Sequence, residues 1–254
     1  MRILITNDDG IDANGIRALI DRLSPNHTLY VIAPDTQRSA VSKSLTLYAP
    51  LRAEPRKLEG HPEVLAYAIS GTPVECVRLA LGNLVPEMPD LCISGINIGH
   101  NLGTDTLYSG TCGGACEAAI RGIPSVAMSC CSFQPKHMDT AARVAEEMIS
   151  FSEKYPLPFG TFYNVNVPDV PYAQLRGIRK TELSVVEYET RYEERKDPIG
   201  RPYYWAPRRK LVPTEPLDTD ERWTSEGYVT LTPLTYNNVC GTYLNEHEWK
   251  MGGP

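Results

Sequence analysis

The sequence contains no long hydrophobic run and no excess of positive charge. No stretch approaches 18 consecutive apolar residues, so no transmembrane helix is predicted. The apolar run at residues 1–6 is too short for the central region of a signal peptide, which predicts a cytoplasmic protein. The 25 Lys and Arg against 31 Asp and Glu give a net charge of -6. This balance argues against a nucleic-acid polymer as partner, because such binders need a basic surface, but it permits a small anionic substrate held by a metal.

A spaced framework of disulfide-forming cysteines is also absent. The chain has seven cysteines, an odd number, and Cys130 and Cys131 are neighbours. Cys112 and Cys116 are four residues apart, but a zinc site needs two further ligands at a suitable spacing, and the sequence offers none. We therefore expect reduced, mostly buried thiols of the cytosolic kind.

Glycine and proline are too few for a collagen-like or disordered chain. They account for 19 and 21 of the 254 residues, and no internal repeat stands out. Hydrophobic residues at 42% and charged residues at 22% are typical of a globular protein. Since domains average about 150 residues, the length predicts one large unit or one core with an appendage.

Strand-like and helix-like patterns alternate up to about residue 170. Strands are predicted at residues 2–6, 28–33, 64–69, 91–94, 125–129 and 162–167, and helices at 16–23, 73–81, 112–121 and 138–149. This alternation is typical of an α/β fold with a mostly parallel sheet flanked by helices. We accordingly predict a catalytic core at residues 1–170.

Beyond residue 170 the alternation ends, and aromatic residues and prolines accumulate. All three Trp, eight of the fourteen Tyr and eight of the 21 Pro lie there. Short strands are predicted at residues 181–189, 202–206 and 227–232, a solvated hairpin within 187–197, and a hairpin that turns at Asn237-Asn238 into 239–244. Residues 171–254 are therefore predicted to form a β-rich extension and oligomerisation arm, with a self-contained β appendage as the alternative.

Polar segments follow three of the predicted strands. They are Asn7-Asp8-Asp9-Gly10, residues 34–44 and residues 95–111. In a parallel α/β sheet ligands bind beyond the carboxyl ends of the strands, so we expect these segments to converge on one site.

The pair Asp8 and Asp9 is the clearest sign of chemistry. Adjacent carboxylates repel each other unless a cation lies between them, and the turn at Gly10 lets both face one point. Two carboxylates with neutral oxygens suit a hard divalent ion such as Mg²⁺ or Mn²⁺. The alternative is that the two residues cap a helix or form an Asx turn.

The other two segments offer phosphate-binding chemistry. Residues 34–40 supply the Ser39 hydroxyl and the Arg38 charge, although an ordinary surface loop is the alternative. Ser109-Gly110-Thr111 opens a helix, whose free N–H groups favour a phosphate, whereas a glycine-rich turn is the simpler interpretation. Neither GxGxxG after the first strand nor GxxxxGK[ST] is present, which disfavours a dinucleotide or P-loop site. His100 is a candidate general acid or a polar loop residue, and Tyr108 either stacks on a base or packs beneath the loop.

Jointly, these motifs resemble the SurE family of stationary-phase survival proteins. The resemblance rests on NDDG at 7–10, AP-D-x-QRS at 33–39, SGTP at 70–73 with Glu75-Cys76-Val77, SGIN-x-G-x-N-x-G at 94–103 and YSGT at 108–111. The segment Thr219-Asp220 … Gly227-Tyr228-Val229 … Thr232-Pro233-Leu234 is similar to the ending of the family.

The resemblance implies a Rossmann-like core and a metal-dependent nucleotidase. The implied ligands of one divalent ion per subunit (Mg²⁺, Mn²⁺ or Co²⁺) are Asp8, Asp9, Ser39 and Asn97, and the implied phosphate-binding residues are Asn101, Ser109, Gly110 and Thr111. The implied substrates are nucleoside 5′- and 3′-monophosphates and, in some members, short polyphosphate. The resemblance also implies a homodimer or homotetramer that forms through exchanged C-terminal arms.

The mechanism follows as a hypothesis. A metal-activated water attacks phosphorus, Asp8 or Asp9 takes its proton as the catalytic residue, and N–H groups near Ser109–Thr111 stabilise the transition state. The tail departs from the family, with Asn237 in place of an Asp and Gly241 where several members have a His. An acid or hinge role of that Asp and that His therefore does not carry over to this chain. A non-catalytic nucleotide-binding module and a metal-dependent glycosyltransferase or other α/β hydrolase are the alternative classes.

Overall fold

A computed structural model of the chain describes residues 1–185, 187–206, 210–211 and 218–237, with the backbone alone at 210–211. Within these residues a nine-stranded sheet carries helices on both faces, which confirms the predicted α/β class. The strands are β1 (Arg2–Thr6), β2 (Thr28–Pro34), β3 (Ala53–Leu58), β4 (His61–Ile69), β5 (Leu91–Ile98), β6 (Ser125–Cys130), β7 (Thr161–Val167), β8 (Ile178–Lys180), β9 (Glu187–Tyr188), β10 (Glu193–Lys196), β11 (Pro202–Trp205), β12 (Lys210–Leu211) and β13 (Val229–Thr235). The α-helices are α1 (Asn14–Leu23), α2 (Pro73–Leu79), α3 (Gly110–Ile120), α4 (Met138–Lys154) and α5 (Asp220–Ser225).

The order of strands in the main sheet is β3-β4-β2-β1-β5-β6-β7-β13-β8. The six strands from β4 to β7 in this order are parallel, whereas β3 runs antiparallel to β4 and β13 runs antiparallel to β7. The carboxyl ends of β2, β1 and β5 are therefore neighbours at the centre of one edge, with Thr6 of β1 opposite Ser94 of β5. This is the edge at which a ligand is expected.

The alternation of side chains along β1 explains why the sheet is covered on both faces. Ile3 and Ile5 pack into the core formed with α1 and α4, whereas Leu4 packs with α2 on the opposite face. All three side chains are fully buried, and each contributes about 1.5–3 kcal/mol relative to an exposed side chain. A buried apolar run without polar alternation is what a central parallel strand requires.

Some elements differ from the sequence predictions. Strand β3 was not predicted because its residues are exposed or half-buried and include Pro55, which suits an edge strand. The predicted strand at 181–189 is reduced to β9 and a single bridge between Glu182 and Thr219. The solvated hairpin is formed by β10 and β11 rather than within 187–197, and the predicted hairpin at 239–244 lies outside the described residues.

Two strands from beyond residue 170 complete the main sheet. Strand β13 pairs with β7, and β8 pairs with β13, so the sheet crosses the predicted boundary. The division into a catalytic core at 1–170 and an oligomerisation arm at 171–254 stays a prediction.

The described cysteines are all free, and five of the six are buried. The expected absence of disulfides holds for these residues, whereas the cytoplasmic location stays a prediction. No helix in the described part of the chain has the length and apolar character needed to cross a bilayer.

Candidate active site

The site begins at the turn that follows β1. The Asn7 side chain closes this turn, because its Nδ2 donates to the Gly10 carbonyl at 2.9 Å and its Oδ1 accepts from the Gly10 N–H at 3.1 Å. Gly10 has a φ of +102°, which only glycine adopts readily. The turn is thus formed by Asn7, and the carboxylates of Asp8 and Asp9 are not needed to close it.

Asp8 is buried against the start of helix α3. Its side chain is 5% exposed, and its Oδ1 accepts a 2.6 Å hydrogen bond from the Thr111 hydroxyl. A Cβ added at Gly110 would lie 2.8 Å from the Asp8 Cβ, so only glycine permits this approach. The Ser109 hydroxyl caps the helix by accepting from the Cys112 N–H at 3.1 Å. Asp8 therefore faces the N-terminal end of an 11-residue helix, where the dipole favours negative charge.

Asp9 is attached to the segment that follows β5. Its Oδ2 accepts from the Ile98 N–H at 2.9 Å, and its Oδ1 lies 3.5 Å from the Gln37 amide nitrogen. The Asp8 carbonyl in turn accepts from the Arg38 N–H at 2.7 Å. These contacts bring together the three segments that the sequence predicts to converge.

Both carboxyl groups are easier to protonate than ordinary aspartates. Burial raises the pKa of Asp8 to about 6, the Thr111 hydroxyl opposes this change, and the charge of Asp9 adds to it. Burial also raises the pKa of Asp9, against the Ile98 N–H and the Gln37 amide, which stabilise its charged form. The protein alone leaves this pair of negative charges poorly compensated, so a cation would stabilise it.

Each predicted neutral ligand is the chain neighbour of a residue that binds one of these aspartates: Ser39 follows Arg38, and Asn97 precedes Ile98. Ser39 is exposed and follows Arg38, whose N–H binds the Asp8 carbonyl. Asn97 is half-buried, and its Nδ2 donates to the Gly99 carbonyl at 2.9 Å, which leaves the side-chain oxygen out of that bond. Among the described residues no group of three or more His, Cys, Asp or Glu assembles. Two carboxylates, a hydroxyl and an amide oxygen form an all-oxygen donor set, which fits a hard divalent cation.

The predicted phosphate-binding residues occupy two different places. Ser109, Gly110 and Thr111 form the first turn of α3 beside Asp8. Asn101 lies behind the loop, 6% exposed, with its Nδ2 donating to the Ser129 hydroxyl at 2.8 Å. Direct binding of phosphate by Asn101 stays a prediction.

The remaining candidates of this loop lie at the surface. Tyr108 is 65% exposed, so it does not pack beneath the loop. His100 is half-buried, with its Nε2 4.0 Å from a carboxylate oxygen of Asp105 and its ring edge-on to Phe133 at 5.8 Å. Phe133 itself is exposed and was not singled out in the sequence.

Sequence reasoning also missed a buried polar layer behind the loop. The side chains of Asn164 and Asn166 both donate to the Asn101 carbonyl, at 2.9 and 3.0 Å, and the Asn166 Oδ1 accepts from the Asn101 N–H at 2.8 Å. The available signal was two asparagines at alternate positions of a strand that is otherwise mostly apolar, since such positions share one face. Asp220, whose carboxylate also binds this loop, belongs to the segment that is similar to the ending of the family, but that similarity does not indicate this contact.

Comparison with known proteins assigns the chain to a family. The family described as Survival protein SurE matches residues 3–190. A protein described as 5′-nucleotidase SurE from Synechococcus elongatus is 44% identical over 248 residues, covering 93% of this chain and 94% of that protein. Another of that description from Thermosipho melanesiensis is 43% identical over 248 residues, covering 98% and 96%.

A solved structure agrees with these relatives. The crystal structure of the SurE protein from Aquifex aeolicus is similar to this chain with a TM-score of 0.81 and 32% sequence identity, covering 96% of this chain and 97% of that one. Since the matched residues make up most of the sequence and the fold is shared, the chain belongs to the SurE family of survival proteins.

Proposed function

We propose that this chain is a divalent-metal-dependent 5′-nucleotidase, which hydrolyses nucleoside 5′-monophosphates to nucleoside and phosphate. The observation that carries this proposal is the pair Asp8 and Asp9 set against the first turn of α3, where an anionic group and a cation can both be bound. The relatives that match nearly the whole chain are described as 5′-nucleotidases. Nucleoside 3′-monophosphates and short polyphosphate are further proposed substrates.

We assign one divalent ion (Mg²⁺, Mn²⁺ or Co²⁺) to Asp8, Asp9, Ser39 and Asn97. The raised pKa values of both carboxyl groups support this assignment, because a cation offsets the buried charge that the protein leaves uncompensated. When bound, such an ion supplies Lewis-acid polarisation of the phosphate and lowers the pKa of a water molecule.

The residues of the chain supply positioning and proton transfer. Thr111 fixes the Asp8 carboxylate through its hydroxyl, and the Ile98 N–H fixes that of Asp9. Asp8 or Asp9, each fixed in this way, accepts a proton as the general base. Ser109–Thr111 orient backbone N–H groups toward the oxygens of the phosphate, and these groups stabilise the charge of an in-line transition state.

The test is release of phosphate from a panel of nucleoside 5′- and 3′-monophosphates and tripolyphosphate. Each substrate is offered to the full chain with Mg²⁺, Mn²⁺ or Co²⁺, and with EDTA as the metal-free control. We expect turnover of the 5′-monophosphates with at least one metal and none with EDTA. Binding of nucleotide without phosphate release, or full activity in EDTA, contradicts the proposal.

We further propose that the chain assembles as a homodimer or homotetramer through the extension. The support is the hairpin of β10 and β11, whose strands pair with each other and with no other described strand. On β11 the side chains of Tyr203, Tyr204 and Trp205 are 41%, 57% and 55% exposed. An exposed aromatic cluster of this kind is typical of a surface that contacts another chain.

A further inference from the structure

The loop between β5 and α3 (residues 99–109) connects two segments that each bind one carboxylate of the site. At one end, the Ile98 N–H binds Asp9, and at the other end the Thr111 hydroxyl binds Asp8. A displacement of the middle of this loop would therefore move both ends of the site. What holds the middle of the loop determines how well the site is preorganised.

A buried carboxylate from the extension holds that middle. Asp220 is 0% exposed, and its Oδ2 accepts a 2.8 Å hydrogen bond from the Gly103 N–H. Its Oδ1 accepts from the Ser184 N–H and from the Glu221 N–H, each at 2.9 Å. One side chain thus joins the loop, the segment around Ser184 and the first turn of α5. Hydrogen bonds to a charged acceptor are the stronger kind, and a buried carboxylate that loses one is left undersatisfied.

A second contact connects the same two regions at the surface. The Tyr188 hydroxyl donates to the Oδ2 of Asp105 at 2.9 Å, so the extension contacts the loop on both sides of Thr104. Asn164 and Asn166 hold the loop from β7 through Asn101. The extension therefore holds the loop by direct hydrogen bonds, as strand β7 does.

We propose that Asp220 is a positioning residue, whose carboxylate fixes the β5–α3 loop in the conformation that binds the phosphate of the substrate. This inference rests on the proposed nucleotidase function. Asp220 does not touch the reacting atoms and acts through Gly103. The proposal gives the extension a role within the site of its own chain, in addition to assembly.

The substitution Asp220→Asn tests one hydrogen bond in particular. The asparagine side chain has a single acceptor oxygen. When that oxygen accepts from the Ser184 and Glu221 N–H groups, the NH₂ group faces the Gly103 N–H, and two donors cannot form a hydrogen bond. The bond to the loop is therefore the one that D220N loses. We expect KM for a nucleoside 5′-monophosphate to rise about tenfold with a smaller change in kcat, because a loop that is no longer held binds substrate less well.

The matched control is Thr224→Val on the same short helix. The Thr224 hydroxyl is buried and bonds to the Thr230 hydroxyl at 3.1 Å, so T224V weakens the packing of α5 without touching the loop. We expect T224V to lower the melting temperature but to leave KM unchanged. Equal rises in KM in D220N and T224V would overturn the proposal, since they would indicate a general loss of stability.

Amide hydrogen exchange provides a readout that does not depend on activity. In D220N, peptides that cover residues 99–109 should exchange at least about tenfold faster than in wild type, while the β1 peptides stay protected. Unchanged exchange in this loop contradicts the role of Asp220. An absence of phosphatase activity in wild type instead contradicts the proposed function and leaves the exchange result valid.

Tyr188→Phe covers the case in which D220N does not fold. Tyr188 lies at the surface, so its substitution preserves the core, and it removes only the bond to Asp105. We expect Y188F to increase exchange in residues 99–109 and to raise KM by about threefold, as befits a more exposed hydrogen bond. No change in either quantity overturns the claim that the extension holds the loop.

Discussion

Polar side chains are buried at the edge of the sheet that carries the candidate site (the site edge), whereas large aromatic side chains are exposed in the β10–β11 hairpin. At the site edge, the carboxylates of Asp8 and Asp9 are buried or half-buried, and each accepts a hydrogen bond from a fixed donor. In the hairpin, Tyr204 and Trp205 stay largely exposed. Burial of a polar group is costly unless the group is paired, whereas exposed aromatic groups are typical of surfaces that contact another chain. The two regions should therefore respond to substitution in separate assays.

The largest effect is expected at the carboxylates. Asp8→Asn and Asp9→Asn each remove a negative charge from the proposed metal site, so kcat should fall at least about 1,000-fold. The measurement is phosphate release with Mn²⁺ in excess, with the melting temperature as the check on folding. Near-normal activity of either folded variant would contradict a catalytic role of the aspartate that it replaces.

A smaller effect is expected from the group that orients Asp8. Thr111→Val keeps the shape of a fully buried side chain but deletes its hydroxyl, so kcat should fall about tenfold. Because the lost hydrogen bond stabilised the charged carboxylate, the pKa of Asp8 should rise, and the acid limb of the pH–rate profile should move to higher pH.

Ser125→Ala is the control for that variant. The Ser125 hydroxyl is buried and donates to the Ala115 carbonyl of α3 at 2.8 Å, away from Asp8. This variant should keep the wild-type pH–rate profile. A shift of equal size in both variants would assign the effect to α3 packing in general.

Substitution of the hairpin should change assembly and spare the chemistry. We expect Tyr204→Ser combined with Trp205→Ser to weaken self-association at least about tenfold by light scattering. Activity per chain should stay within about twofold of wild type, which separates the two regions. Met88→Ser, at an exposed apolar side chain outside the hairpin, is the control and should leave assembly unchanged. A hairpin variant that assembles normally contradicts the proposed arm.

The last effect concerns stability without metal. Burial raises the pKa of Asp8 from 3.8 to about 6, so the folded state holds this proton more tightly than the unfolded state. The contribution of Asp8 to stability is therefore complete below pH 4 and is lost as the pH rises through about 6. In EDTA at pH 7.5, Asp8→Asn should be more stable than wild type by about 3 kcal/mol in urea titrations, a difference that should disappear near pH 4.

Asp12→Asn changes an exposed carboxylate close to the same turn and is the control for this pH dependence. It should leave the free energy of unfolding nearly unchanged at both pH values. A D8N variant that is less stable than wild type at pH 7.5 would mean that the buried charge is already compensated within the chain.

Local patterns were sufficient to predict the central strands of the sheet and the convergence of three loops at one of its edges. Strand β1 has the predicted bounds, because its apolar run is buried on both faces by elements that any parallel sheet provides. The pair Asp8 and Asp9 was identifiable because adjacent carboxylates at a strand end need an explanation in any fold. The grouping of segments at one edge followed from the geometry of parallel strands.

Contacts between distant parts of the chain were not predictable in the same way. Gly103 and Asp220 are 117 residues apart, and nothing in either local sequence specifies the other. Strand β3 exists because β4 offers it a pairing edge, since its own residues show no hydrophobic alternation. The orientation of Asn101 toward Ser129 depends on the polar face of β7, which only the assembled sheet brings into place.

The most direct test of the central claim is a titration of metal-free protein with Mn²⁺. Free Mn²⁺ is followed by electron paramagnetic resonance, and phosphate release from a nucleoside 5′-monophosphate is measured on the same samples. We expect one ion per chain, activity that rises in proportion to bound ion, and loss of both in a folded protein carrying Asp8→Asn and Asp9→Asn. Undiminished Mn²⁺ binding by that double variant, or full activity before any ion is added, would contradict the proposed metal site.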